Sequence, residues 1–270
     1  MVTGDPGMTF EIDAARGAKI ISLRDPAGRE WLTRSRRTGA VPGMPFGLAE
    51  MAGWDECAPT INQCVVDGRR LPDHGDAWDV PWTATGTGLR HAGASWPYVL
   101  RRRIVSTGDG GLRLEYSAET TGGAVPFLWT AHPQFAAPPG SRVELSPTPE
   151  RAVEVSAKGW PVIGWSEQLT SLDALPDGGS RKVYVHPDEP AVTRVVLIRS
   201  DGGRLGLTLS PECRYLAIWL DNRAWADEPV IAVEPSLGYA DSLEVAVALG
   251  TAPTLRPGEP LEWWLAVAPG

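Results

Sequence analysis

Long apolar runs are missing from this chain. No segment of about 18 consecutive apolar residues occurs, so no membrane-spanning helix is expected. An excess of positive charge is missing too: the formal net charge is -8. A nucleic-acid partner would favour a basic patch, so none is expected. The dense basic runs, 34–37 and 101–103, read as solvated faces. Cysteine is scarce. Cys57, Cys64 and Cys213 are odd in number, and the first two are too far apart for a Cys-x-x-Cys pair. They read as reduced thiols of a cytoplasmic protein. The opening MVTGDPGMTF has no basic start followed by an apolar stretch, so no secretory leader is expected. Helical periodicity is almost absent as well.

What remains is the pattern of an all-β protein. GLRLEYSAE alternates Leu112, Leu114 and Tyr116 against Arg113, Glu115 and Ser117, the signature of a half-buried antiparallel strand. A Gly-rich turn joins it to YVLRRRIVS as a hairpin. A second hairpin turns at Asp201-Gly202-Gly203, and a third, AKIISLRDPAGREWL, at Asp25 to Gly28. Further strands are expected at AVPFLWTAH, SRVELS, YLAIWLD, PVIAVEP and LEWWLAV, with one short helix in TSLDALPDGGS. This spacing implies a sandwich or barrel. With no linker-like stretch and no clear repeat, a single β domain over 1–270 is expected. Twelve tryptophans are many for this length. Most of them read as core and interface filling, though a Trp face also stacks on a sugar ring.

Chemistry has few candidates. Of the four histidines, His91 and His186 read as surface or turn residues. His74, in LPDHGDAWDVPW, is either a simple turn or a ligand-facing imidazole whose Gly75 lets the backbone come close. His132 ends the apolar run PFLWTAH before Pro133, and is either a satisfied core histidine or a rigidly held catalytic one. Glu234 likewise closes an apolar strand before Pro235, where a carboxylate must be paired or sit in a pocket. A structural salt bridge and catalysis fit it equally. Asp55 and Glu56 are adjacent acids beside Trp54; in a strand at most one of them faces a given pocket. Two histidines and a carboxylate, without a serine elbow, phosphate loop or metal spacing, suggest general acid–base work.

Several stretches, taken in order, resemble the galactose mutarotase-like superfamily, the aldose 1-epimerases and their hexose-phosphate epimerase relatives. They are GAKIISLRDPAGREWL, GWDECAPTI followed by LPDHGDAWDVPW, LWTAHPQF, IAVEPSLGYADSL and LRPGEPLEWWLAV. The resemblance implies a large antiparallel β-sandwich with a concave sugar-binding face. It implies His132 as the general acid at the ring oxygen, Glu234 as the base at the anomeric hydroxyl, and His74 as a sugar ligand. It also implies an imidazolium paired with a carboxylate, and no metal or organic cofactor. Where galactose-specific members carry an Asn-Arg-Ile-like segment, this chain has GWDECAPTI, so Asp55 or Glu56 would bind hydroxyls. Where hexose-phosphate members carry an arginine soon after His-Gly, this chain has Trp78, which would stack on a sugar face. The expected partner is a free, unphosphorylated sugar, because an arginine fork is the natural phosphate clamp. A non-catalytic carbohydrate-binding protein is the alternative. So is an epimerase or lyase acting at another carbon, for which Tyr239 lies close to Glu234 in sequence.

Overall fold

The computed structural model describes residues 7–37 and 41–270. Two large antiparallel sheets build it. The front sheet has nine strands among the described residues. In spatial order they are Thr9–Asp13, Lys19–Arg24, Gly53–Cys57, Thr130–Ala136, Val230–Ser236, Tyr215–Asn222, Gly179–Val185, Arg151–Glu154 and Val162–Gly164. The back sheet has eight: Arg142–Ser146, Arg194–Ile198, Arg204–Leu209, Leu261–Pro269, Leu112–Thr120, Tyr98–Ser106, Leu89–Ala92 and Thr83–Ala84.

Alternation decides which side chains lie between the sheets. Leu112, Leu114, Tyr116 and Ala118 of the back sheet are buried in one cluster with Ile20, Trp54, Ile218, Ile231 and Val233 of the front sheet. Each large apolar side chain placed there contributes about 1.5–3 kcal/mol relative to exposure. The remaining front-sheet positions point outward, and that outer face carries the polar residues described below. No helix among the described residues is long and apolar enough to cross a membrane. All three cysteines are free and buried.

The hairpin at 98–120 and the one turning at Asp201 form with the expected pairing. The third is only half a hairpin. Lys19–Arg24 pairs with Thr9–Asp13 and reaches Gly53–Cys57 through Ile20 opposite Trp54, and its return arm makes isolated contacts such as Arg24 with Glu30. The helix expected near TSLDALPDGGS is two 3-10 turns, Glu167–Thr170 and Leu172–Ala174. The α-helix lies instead at Leu243–Ala248, where the Ser242 side chain accepts from the Val245 N–H. Its six residues are too few to show a helical period in the sequence. Two surface readings are corrected. Arg102 is buried against Glu56, and His91 is buried beside Asp76, because both sit at inward-facing strand positions.

Candidate active site

Three neighbouring strands at the centre of the front sheet build the site. Asp55 lies opposite His132 in register. Thr130 lies opposite Ser236 and Gln134 opposite Ala232, which sets His132 level with Glu234. The two-residue period then turns Asp55, His132 and Glu234 to the outer face together, while Trp54, Ile231 and Val233 turn to the core. Both Pro133 and Pro235 lie inside strands, not at their ends as the sequence suggested. Proline donates no ladder hydrogen bond. The paired register between these two strands is accordingly interrupted from Thr130–Ser236 to Gln134–Ala232, the stretch that carries His132 and Glu234.

His132 Nε2 stands 3.8 Å from Glu234 Oε1. Both residues are almost fully buried, yet His132 Nδ1 and Glu234 Oε1 have no hydrogen-bond partner in the protein. Unsatisfied buried polar atoms are costly and call for a ligand group. The other carboxylate oxygen, Oε2, accepts from Lys182 Nζ at 2.7 Å. The same ammonium donates to Asp241 Oδ1 at 2.7 Å, which also accepts from Tyr184 Oη at 2.6 Å. On the far side of His132, Asp55 faces Lys19 Nζ at 3.1 Å, and that ammonium also meets Glu50 at 2.7 Å.

The loop carrying His74 is shaped by Gly75. His74 and Gly75 both have positive φ, 58° and 75°. A Cβ on Gly75 would lie 1.9 Å from the Ala58 carbonyl oxygen, so only glycine fits against that strand end. Asp76 then anchors the loop, accepting from Tyr98 Oη at 2.6 Å and from the Ser95 N–H and hydroxyl. Burial would raise the Asp76 pKa, but hydrogen bonds from His91, Tyr98 and Ser95 hold it below the ordinary carboxylate value. The result places the His74 ring 5.9 Å from that of His132. Phe46, on the 3-10 turn Phe46–Leu48, stacks flat on His74 at 3.7 Å and meets His132 edge-on at 5.5 Å.

Burial sets the protonation states. It raises the Glu234 pKa above the ordinary carboxyl value, opposed by Lys182 and reinforced by Asp241. It pushes His132 well below the ordinary imidazole value, helped by His74, Lys182 and Lys19. Asp55 is raised for the same reason, with Lys19 opposing. Burial and the neighbouring lysines thus work against the imidazolium of the expected imidazolium–carboxylate pair.

A family model described as aldose 1-epimerase matches residues 5–268. The chain belongs to the aldose 1-epimerase family. No curated protein matches it. Among solved structures it resembles the Slr1438 protein from Synechocystis sp. PCC 6803 at 16% identity and a TM-score of 0.76, covering 100% of this chain and 99% of that one. It also resembles a galactose mutarotase related enzyme from Lactobacillus acidophilus at 13% identity and 0.67, covering 99% and 96%. A GalM/aldose epimerase homologue from C. elegans follows at 14% and 0.63, covering 98% and 96%. These likenesses show the galactose mutarotase-like fold.

On this epimerase fold the candidate residues separate. His74, His132, Glu234 and Asp55 share the front face. Glu56 does not: its carboxylate points between the sheets, where it takes Arg102 Nη1 at 2.6 Å, Tyr116 Oη at 3.0 Å and Trp129 Nε1 at 2.8 Å. The expectation that it binds hydroxyls is corrected to a buried structural ion pair. Trp78 is buried edge-on against Phe46 at 4.9 Å, so it backs that ring and offers no free face for stacking. Tyr239 packs against the rings of Tyr184 and Tyr215 and makes no hydrogen bond to Glu234. Sequence reading missed Lys19, Lys182, Asp241, Phe46 and Trp219, whose ring lies 5.8 Å from that of His132. The available signal was faint: Lys182 and Tyr184 alternate with Arg181 and Val183 in RKVYV, and nothing in that run names a partner.

Proposed function

We propose that this protein is a mutarotase that interconverts the α and β anomers of an unphosphorylated sugar. The observation that carries this reading is Glu234 Oε1, buried and without a hydrogen-bond partner, on one spot of the front face with His132 Nε2 3.8 Å away. Glu234 Oε1 takes the proton of the anomeric hydroxyl. The C1–O5 bond breaks as the C1 carbonyl forms, and His132 Nε2 delivers a proton to the ring oxygen. The aldehyde turns about C1–C2, and the same steps in reverse close the ring on the other face. His74 and Asp55 hold hydroxyls of the ring.

The step needs one proton between the two members, carried by His132 when Glu234 is the base and by Glu234 after the transfer. Burial raises the carboxyl and lowers the imidazole, moving their proton affinities toward each other from their ordinary values. This suits a reversible reaction in which acid and base exchange roles with each half of the cycle. A phosphate is disfavoured because the lysines at the site are already engaged, Lys19 by Glu50 and Asp55, Lys182 by Glu234 and Asp241. Magnetisation-exchange NMR on a panel of free aldoses and their phosphates tests this. At least one free aldose should interconvert faster with protein present, and no phosphate should exceed it. No acceleration of any free sugar, or a strong preference for a phosphate, would overturn it.

A further inference from the structure

Glu234 can present only one of its carboxylate oxygens to a substrate, and the side chain that imposes this is Lys182. Its ammonium reaches Oε2 at 2.7 Å and is itself tethered by Asp241 at 2.7 Å. Tyr184 holds that aspartate through a 2.6 Å hydrogen bond to the same oxygen. The tether is rigid at both ends. Lys182 and Tyr184 lie two residues apart on strand Gly179–Val185, so they face the same way, with Trp219 directly across from Lys182. The Asp241 carbonyl is fixed in turn by the N–H groups of Ile61 and Asn62. Tyr184, Asp241, Lys182 and Glu234 thus form a continuous chain of hydrogen bonds that stops at Oε1, beside His132.

We propose that Lys182 is a positioning residue of the acid–base site: by holding Oε2 it aims Oε1 of Glu234 at the substrate and tunes the charge shared by Glu234 and His132. This rests on the reading of Glu234 as the base. The groups that face Glu234 are Lys182 and Tyr184 from their strand, Asp241 from the loop ahead of the α-helix, and His132 and His74. Cys57 follows from the strand beyond His132, and His132 is faced in addition by Asp55 and Lys19 from that side. Of these, Lys182 is the cation in direct contact with Glu234. A fixed cation favours the carboxylate of Glu234 and disfavours the imidazolium of His132. Removing it therefore moves both members of the pair the same way, toward binding protons at higher pH. Removing the Asp241 charge leaves the cation less offset and moves both the opposite way.

The test is the pH profile of anomer interconversion for wild type, Lys182→Met, Lys182→Arg, Asp241→Asn and Glu234→Ala, with thermal unfolding of each. Lys182→Met should shift the profile upward by about one pH unit or more. That lowers turnover at least about tenfold on the acid side, since one unit is a tenfold change in ionised fraction. Lys182→Arg should restore most of it, and Asp241→Asn should shift the profile downward. A residue that served folding alone would lower the unfolding temperature and leave the profile in place. If Glu234→Ala abolishes turnover while Lys182→Met leaves the profile unmoved, the role of Lys182 is refuted and the base is not. If Glu234→Ala retains turnover, the acid–base reading fails and takes the role of Lys182 with it. Should Lys182→Met not fold, Asp241→Asn decides alone: a downward shift supports the role and an unmoved profile refutes it.

Discussion

Glu56→Ala separates the structural acid from the site acids. The Glu56 carboxylate is fully buried, and every one of its partners is buried with it. Truncation leaves the Arg102 guanidinium, itself 2% exposed, as an uncompensated charge between the sheets. Breaking a buried pair this way costs about 3–5 kcal/mol. The stranded Tyr116 hydroxyl and Trp129 N–H cost about 1–3 kcal/mol each when unpaired, and these losses overlap because all belong to one network. About 3–5 kcal/mol is thus a lower estimate, against a total stability on the order of 5–15 kcal/mol for a folded protein. Urea unfolding followed by tryptophan fluorescence reads it directly. The double variant Glu56→Met/Arg102→Met should regain the part of the loss that comes from the orphaned charge, because the pair itself is close to neutral, and keep the part that comes from the stranded Tyr116 and Trp129 donors. Anomer interconversion per folded molecule should stay within about twofold of wild type, since Glu56 faces away from the site. A loss below about 1 kcal/mol would refute the buried-pair account. A raised Michaelis constant at unchanged stability would return Glu56 to the sugar site.

The other expectations concern the His74 loop. His74→Ala should raise the Michaelis constant at least as much as it lowers turnover if the ring, 5.9 Å from that of His132, holds the sugar as proposed; steady-state polarimetry reads both, and an effect on turnover alone refutes a binding role. Gly75→Ala should destabilise the protein by about 1–3 kcal/mol or more, from positive φ and the collision with Ala58. Denaturant unfolding checks this, and a neutral substitution would mean the loop is held differently.

Much of this architecture could be read from alternation. Leu112, Leu114 and Tyr116 mark a strand because the period is two, and the tight turn at Asp201-Gly202-Gly203 marks the separate hairpin of Arg194–Ile198 with Arg204–Leu209 because glycine tolerates the turn. The candidate pair stood out by chemistry, a histidine and a glutamate each before a proline within an apolar run, but a core histidine and a structural salt bridge fitted them as well, and their acid and base roles came only from the family resemblance. Other features depended on pairs far apart in the chain. Arg102 looked like part of a solvated basic run, and only the packing of the two sheets brings Glu56 to it. Lys182 is 52 residues from Glu234 and 59 from Asp241, so no local pattern announces the bridge. Phe46 sits in a short 3-10 turn with no periodicity, and its place over His74 comes from tertiary packing. Strand direction also misled at the prolines, because a central strand seldom tolerates one and here two adjacent strands do, side by side.

The most direct measurement is the optical rotation of a freshly dissolved α-aldose with wild-type protein and with Glu234→Ala, at equal concentrations of folded chain. Wild type should speed the approach to the anomeric equilibrium, and Glu234→Ala should slow the catalysed rate by about 10²-fold or more. Equal rates for the two proteins, on a sugar that wild type accelerates, would contradict Glu234 as the base.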